Sequence, residues 1–330
     1  MSRGRTPPLT ELTVTRRMAE APPVVALFGA TALGKSDIAV ALAERLGADV
    51  VVADSMQVYA GLALVTNQPD ADQERRARHH LVGFVPPQRE YAVAEYAWLA
   101  HEVIDAWRAA GRPVVVAGGS GLYLRAALGD LDFAAAPDEA LRRDLERRWA
   151  QDRQGVLAEL AELDPASRAR VDEVNPRRVI RALEAALVSG RPLPDAKRDR
   201  LWQPAERYAH RLVALAPDDD REALKVRIGE RVEEILAAGA VAEVAAARKA
   251  GPLSRTARQA IGVTEICAHL DGELALGEVA ARMRARTRAL ARRQITWMRK
   301  LPAAAVVPVA GRLPDAVAES LLRLLQAGAW

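Results

Sequence analysis

Two residue patterns in this chain are equipped for chemistry on a charged substrate. The run Gly29-Ala30-Thr31-Ala32-Leu33-Gly34-Lys35-Ser36 fits the spacing GxxxxGK followed by Ser or Thr. It follows the apolar, β-branched segment Val24–Phe28 and opens a helical pattern that reaches Leu46. In that setting glycines let the backbone approach a diphosphate, while free amides and the helix N-terminus face its negative charge. Lys35 adds an ammonium, and Ser36 offers a hydroxyl to Mg²⁺. The second pattern, Val50-Val51-Val52-Ala53-Asp54, sets a carboxylate at the C-terminal edge of a parallel strand, where open α/β sheets bind ligands. Asp54 there reads either as a metal ligand for phosphoryl transfer or as a general base beside the diphosphate.

Further along, Gly118-Gly119-Ser120 ends a strand pattern over Pro113–Ala117 and puts a hydroxyl on a tight turn. Asn175-Pro176 is a good helix cap and first residue, yet Arg177, Arg178 and Arg181 follow at once. Cations are disfavoured at that end of a helix, and an arriving phosphate would reverse the penalty. From Arg282 to Lys300 there are eight basic residues and no acidic one. Arg288, Arg292 and Arg299 share one helix face, with Trp297 beside them as a stacking surface for a base.

These groups need a frame. The 330 residues are long enough for a large core or two domains. Strand patterns at Val24–Phe28, Asp49–Val52, Leu81–Val85, Pro113–Ala117, Arg211–Ala216 and Ala305–Val309 alternate with helical ones, including Val93–Ala110, Arg221–Arg248 and Leu274–Arg299. That alternation predicts an α/β fold, a P-loop-type parallel sheet covered by helices. Between about Asp132 and Pro194 the strand signal vanishes, and Asp138–Ala150, Gln154–Leu163 and Pro176–Ser189 read as helices. The expected organisation is a catalytic core over 23–131 and 195–330, an inserted all-helical unit over 132–194, and a disordered leader over 1–22, with Met18 an alternative start. The single cysteine, Cys267, excludes a disulfide framework and a Cys₂His₂ or Cys₄ zinc module. No apolar run approaches the roughly 18–20 residues of a membrane span, and the leader lacks a signal-peptide core. A cytoplasmic protein is expected.

Gly29–Ser36 followed by Ala53-Asp54-Ser55-Met56-Gln57-Val58-Tyr59 resembles the bacterial tRNA dimethylallyltransferases, over about residues 24–300. The resemblance implies transfer of a dimethylallyl group from dimethylallyl diphosphate to N6 of adenosine 37, next to the anticodon, with release of pyrophosphate. It implies that Gly29–Ser36 holds the diphosphate with Mg²⁺ on Ser36, and that Asp54, Ser120 and Lys35 are catalytic. It further implies tRNA contacts from Asp54, Ser55, Met56, Gln57, Ser120, Arg142, Arg177, Arg178, Arg181, Arg288, Arg292, Arg293, Gln294, Trp297 and Arg299. The expected partners are the anticodon stem-loop and the prenyl donor, acting on a monomer with no membrane and no obligate protein partner. The chain departs from the family pattern in four places: Ala30 for Pro, Val65 and Gln68 for Gly and Lys, Gly83 for Asp, and Val263 onward without the usual Tyr and basic residue. Two other readings share the loop and the acid, an adenylate isopentenyltransferase and a P-loop kinase or ATPase.

Overall fold

The structure is a computed structural model describing residues 23–131, 139–189, 205–217, 221–303, 305–309 and 311–326. The expected leader therefore lies outside the described residues. In chain order, β1 (Val24–Gly29) leads through the Gly-rich loop into α1 (Lys35–Leu46), which stops at the left-handed Gly47 and returns as β2 (Asp49–Val52). Two short helices, α2 (Ala63–Thr66) and α3 (Ala71–Arg76), precede the edge strand β3 (His79–His80). Next come α4 (Val93–Ala109), β4 (Val114–Gly118), α5 (Gly121–Leu128) and the two-residue β5 (Gly129–Asp130). A helical stretch follows with α6 (Glu139–Gln151), α7 (Arg153–Leu163), α8 (Pro165–Arg168) and α9 (Pro176–Ser189). The sheet resumes after β6 (Ala205–Glu206) with β7 (His210–Ala216). The last elements are α10 (Arg221–Ala237), α11 (Ala240–Lys249), α12 (Val263–Leu270), α13 (Leu276–Met298), β8 (Ala305–Pro308) and α14 (Pro314–Gln326).

Six strands form one parallel sheet in the order β3-β2-β4-β1-β7-β8. Both faces are covered, which is why the central strands read as unbroken apolar runs. Val25, Leu27, Val50, Val52 and Val115 face a core shared with α1 and α14. Ala26, Phe28, Val51, Val114 and Val116 face the other core, against α4, α5, α12 and α13. The helices α6, α7 and α9 bury Leu145, Leu157, Leu160, Val179 and Leu183 in a third cluster of their own. The chain leaves for and returns from this stretch through the antiparallel pair β5–β6.

Two expected elements differ. The strand expected at Leu81–Val85 lies earlier, at His79–His80, because Leu81 takes a left-handed backbone (φ 64°) that a ladder cannot continue. Val85 makes only an isolated bridge to Tyr59. The single helix expected over Arg221–Arg248 is two, broken at Gly239 with φ 105°. The helices α12 and α14 carry no counterpart in the sequence reading, although Pro314 is a good first-turn residue.

Candidate active site

Strands β2, β4 and β1 are neighbours, and their C-terminal ends carry Asp54, Ser120 and the Gly-rich loop respectively. Within the loop Ala32 (φ 62°) and Gly34 (φ 69°) are both left-handed, the conformation that turns successive backbone amides toward one concavity. Gly34 caps α1 with no side-chain bond, which leaves the first-turn amides of Lys35 and Ser36 for a ligand. Lys35, Ser36, Asp54, Gln57, His79 and Gly118 line one cavity beneath this edge.

Asp54 bends back on its own chain, accepting the Met56 backbone N–H at 2.8 Å on Oδ1. Burial raises its carboxyl above the usual value of 3.8, opposed by the Met56 N–H, the Lys35 charge and the Gln57 N–H. Burial likewise lowers the Lys35 ammonium, opposed by Asp54. A carboxylate that is poorly hydrated and raised in pKa is a stronger proton acceptor than an exposed one. Ser120 accepts the Ser55 N–H at 3.3 Å, with the two hydroxyls 3.4 Å apart, so the ends of β2 and β4 are tied beside the carboxylate. Gly118 is glycine because a Cβ there would sit 1.9 Å from the Ala53 carbonyl oxygen. The strand carrying Asp54 and the strand carrying Ser120 are thus in backbone contact.

The long helix α13 closes over this edge. Gln294, expected among the tRNA contacts, is buried instead, 6% exposed, with both ends of its amide engaged. Its Oε1 accepts the Thr31 N–H at 2.8 Å and its Nε2 donates to the Gly119 carbonyl at 3.0 Å. The physical reason is its place on the apolar side of α13, where an unpaired amide would be costly. It also occupies one loop amide, Thr31, expected to face the diphosphate. One turn on, the half-buried Trp297 lies against Gly121, where a Cβ would fall 2.2 Å from its ring.

The arginines divide into two kinds. In the first half of α13, Arg284 and Arg286 pair with Glu233 and Glu265. Farther along, Arg292, Arg293 and Arg299 are exposed and Arg288 half-buried, with no ion pair for any of the four among the described residues. In the helical stretch Arg177 and Arg178 are exposed at the start of α9. Arg142 and Arg181 converge on Glu184, which is 1% exposed, and so bind α6 to α9. The structure thus brings the loop, Asp54, Ser55 and Ser120 together and leaves the arginines on two separate surfaces.

Two supporting residues, Glu243 and Thr256, were not singled out from sequence. Glu243 receives the N–H groups of Leu64 and Val65 at 2.7 and 3.0 Å, and the Tyr59 hydroxyl donates to Thr256 at 2.6 Å. Both fasten the segment after Asp54 to parts of the chain nearly two hundred residues away in sequence, α11 and the turn before α12, a pairing that no local pattern reveals. The departures at positions 68 and 83 are a single contact: Gln68 Oε1 lies 3.0 Å from where a Gly83 Cβ would stand. Gln68 Nε2 also donates to the Tyr59 carbonyl at 2.7 Å.

The IPP transferase family model matches residues 57–301. A tRNA dimethylallyltransferase of Bordetella petrii is 39% identical over 92% of this chain and 99% of its own length. One from Anaeromyxobacter dehalogenans is 42% identical over 84% of this chain and 92% of its own. Among solved structures, a tRNA isopentenylpyrophosphate transferase of Bacillus halodurans superposes with TM-score 0.67 at 29% identity, covering 93% of this chain and 96% of that one. A eukaryotic dimethylallyltransferase acting on tRNA shares the fold, with TM-score 0.76 at 21% identity over 93% of this chain and 79% of its own. With a matched segment that takes in most of its length, and curated relatives this similar across most of theirs, the chain belongs to the IPP transferase family, that of the tRNA dimethylallyltransferases.

Proposed function

We propose that this protein transfers a dimethylallyl group from dimethylallyl diphosphate to N6 of adenosine 37 in tRNA and releases pyrophosphate. The observation that carries this reading is the convergence of a diphosphate loop, a partly desolvated carboxylate and a serine hydroxyl on the ends of three adjacent strands, with unneutralised arginines on the helix above. In the reaction the allylic C–O bond breaks as the N6–C bond forms. Lys35 and the loop amides meet the charge that grows on the departing diphosphate. Asp54 receives the proton that N6 gives up, taking it as the bond forms, since a carboxylate is too weak to deprotonate free adenine. Ser120, next to Ser55, is placed to hydrogen-bond at the reacting centre.

Ser36 at the first turn of α1 suits Mg²⁺, which keeps several waters and is held largely by substrate phosphates rather than by a protein cage. No group of three or more His, Cys, Asp or Glu side chains among the described residues forms such a cage. Bound there, the ion would neutralise diphosphate charge. The adenine must leave its stack to reach Asp54, which anticodon-loop RNA makes cheaper because its bases are already partly splayed. The helical unit over 132–194 would clamp that loop with Arg177 and Arg178 on phosphates. Among the described residues no helix is long and apolar enough to cross a membrane. We place the enzyme in the cytoplasm as a monomer.

Mass spectrometry of tRNA from cells lacking this protein tests the reading: prenylated adenosine should disappear and return with the wild-type gene. Its persistence would overturn the assignment. Turnover with AMP in place of an anticodon stem-loop would favour an adenylate isopentenyltransferase.

A further inference from the structure

Arg125 is a buried cation with no direct ion pair among the described residues. It lies on α5, is 6% exposed, and its Nε finds no hydrogen-bond partner. No hydrogen bond or ion pair engages its guanidinium among the described residues; Nε is fully enclosed, whereas the two terminal nitrogens are not among the buried unpartnered atoms. A neighbouring arginine shows what a structural role looks like here. Arg207, at the β5–β6 neck, pairs with Asp105 at 2.8 Å and Asp130 at 3.3 Å. Burial lowers the Arg125 pKa from its ordinary value, and only Glu206 acts against this. Holding a guanidinium largely out of water with only a distant carboxylate acting on it is costly, and an anion reaching its terminal nitrogens would offset that cost.

The position of Arg125 narrows the ligand. On α5 it follows Gly121 by one helical turn, and so shares the face on which Trp297 lies. Ser120, at the reacting edge, precedes it by five residues, roughly 7 Å along the helix axis. Beyond it the chain passes through β5 into the helical unit. Along α5, Arg125 therefore lies between Ser120 at the carboxylate edge and the β5–β6 neck of that unit. A planar guanidinium with several donors matches a phosphodiester oxygen pair.

We propose that Arg125 receives a backbone phosphodiester flanking the adenosine whose base enters the site beside Asp54 and Ser120. This rests on the function proposed above. Arg125 binds RNA, separately from the arginine surface of α13, and fixes the nucleotide once its base has left the stack.

The test pairs a protein change with an RNA change. In a synthetic anticodon stem-loop, each phosphate flanking the target adenosine is replaced in turn by an uncharged methylphosphonate. One replacement should weaken binding to the wild-type protein by about 10- to 100-fold, the scale of one charge-assisted contact. Arg125→Met should weaken binding of the unmodified stem-loop equally, lower the salt slope by about one, and leave donor binding unchanged. The same methylphosphonate should then cost Arg125→Met nothing more, and Arg125→Lys should recover part of the loss. Because Met relieves an unpaired buried charge, the variant should melt no lower than wild type. Additive effects of the two changes, or wild-type RNA affinity in Arg125→Met, would overturn the proposal. If Arg125→Met fails to fold, the methylphosphonate scan on the wild type and Arg125→Lys still decides: no sensitive phosphate refutes it. Failure of the enzymatic reading is separate, since it would show as no prenylation of any stem-loop by the wild type.

Discussion

At the residue scale the account turns on Asp54. A carboxylate that accepts the N6 proton in the transition state contributes to turnover and little to RNA affinity. Asp54→Ala should therefore keep stem-loop binding while lowering turnover by about 10²–10⁴-fold, the usual scale for a general base. Turnover and binding measured on one preparation check this, and near-wild-type turnover would remove Asp54 from the chemistry. Its raised pKa gives a second expectation. Activity needs the ionised form, so kcat/KM should fall as pH drops through the Asp54 value, with a midpoint above 3.8. A pH profile with a stem-loop as varied substrate reads it directly; a midpoint at or below 3.8 would show that burial does not govern this group. The placement of these residues at one sheet edge was legible in the sequence because loop, lysine and acid lie close to their strands. The role of Gln294 was not. Its neighbours Arg292 and Arg293 are exposed, and only the packing of α13 shows that position 294 faces inward.

At the scale of elements, α13 is both a brace and a surface. Gln294 joins the Gly-rich loop to the turn after β4 through two hydrogen bonds. Gln294→Leu keeps the apolar bulk but strands the Thr31 N–H and the Gly119 carbonyl, at about 1–3 kcal/mol for each buried group left unpaired. Denaturant titration should show that loss, together with weaker binding of the diphosphate donor as the loop loosens. Unchanged stability would mean that water replaces the amide. The opposite face carries Arg288 and Arg292, with no carboxylate to neutralise them among the described residues. Changing both to Gln should weaken tRNA binding and reduce its salt slope by about one for each lost phosphate contact. An unchanged slope would make that face a solvated one. Elements with strong local pattern, β1, β2, α4 and α9, fall within a residue or so of the sequence reading. The misplaced β3 and the broken α10–α11 pair fail for a shared reason. Each depends on one residue with positive φ, Leu81 or Gly239, and hydrophobic periodicity carries no signal for it.

At the scale of the molecule, the parallel sheet aligns three strand ends so that groups far apart in sequence lie at one edge, as the order β2-β4-β1 requires. The helical stretch has its own apolar cluster and enters and leaves through one narrow pair of strands. That construction lets the helical stretch pack on its own core, apart from the sheet. The sheet and the helical stretch were legible because apolar runs and their absence are long-range patterns. The locking of Arg142 and Arg181 on Glu184 was not, since the pairing joins two helices of that stretch.

The central claim is that the Gly-rich loop serves departure of an intact diphosphate and not phosphoryl transfer. Purified protein given dimethylallyl diphosphate and an anticodon stem-loop should release one pyrophosphate for each adenosine alkylated, with no nucleoside triphosphate present. Hydrolysis of ATP without alkylation of RNA under the same conditions would contradict it.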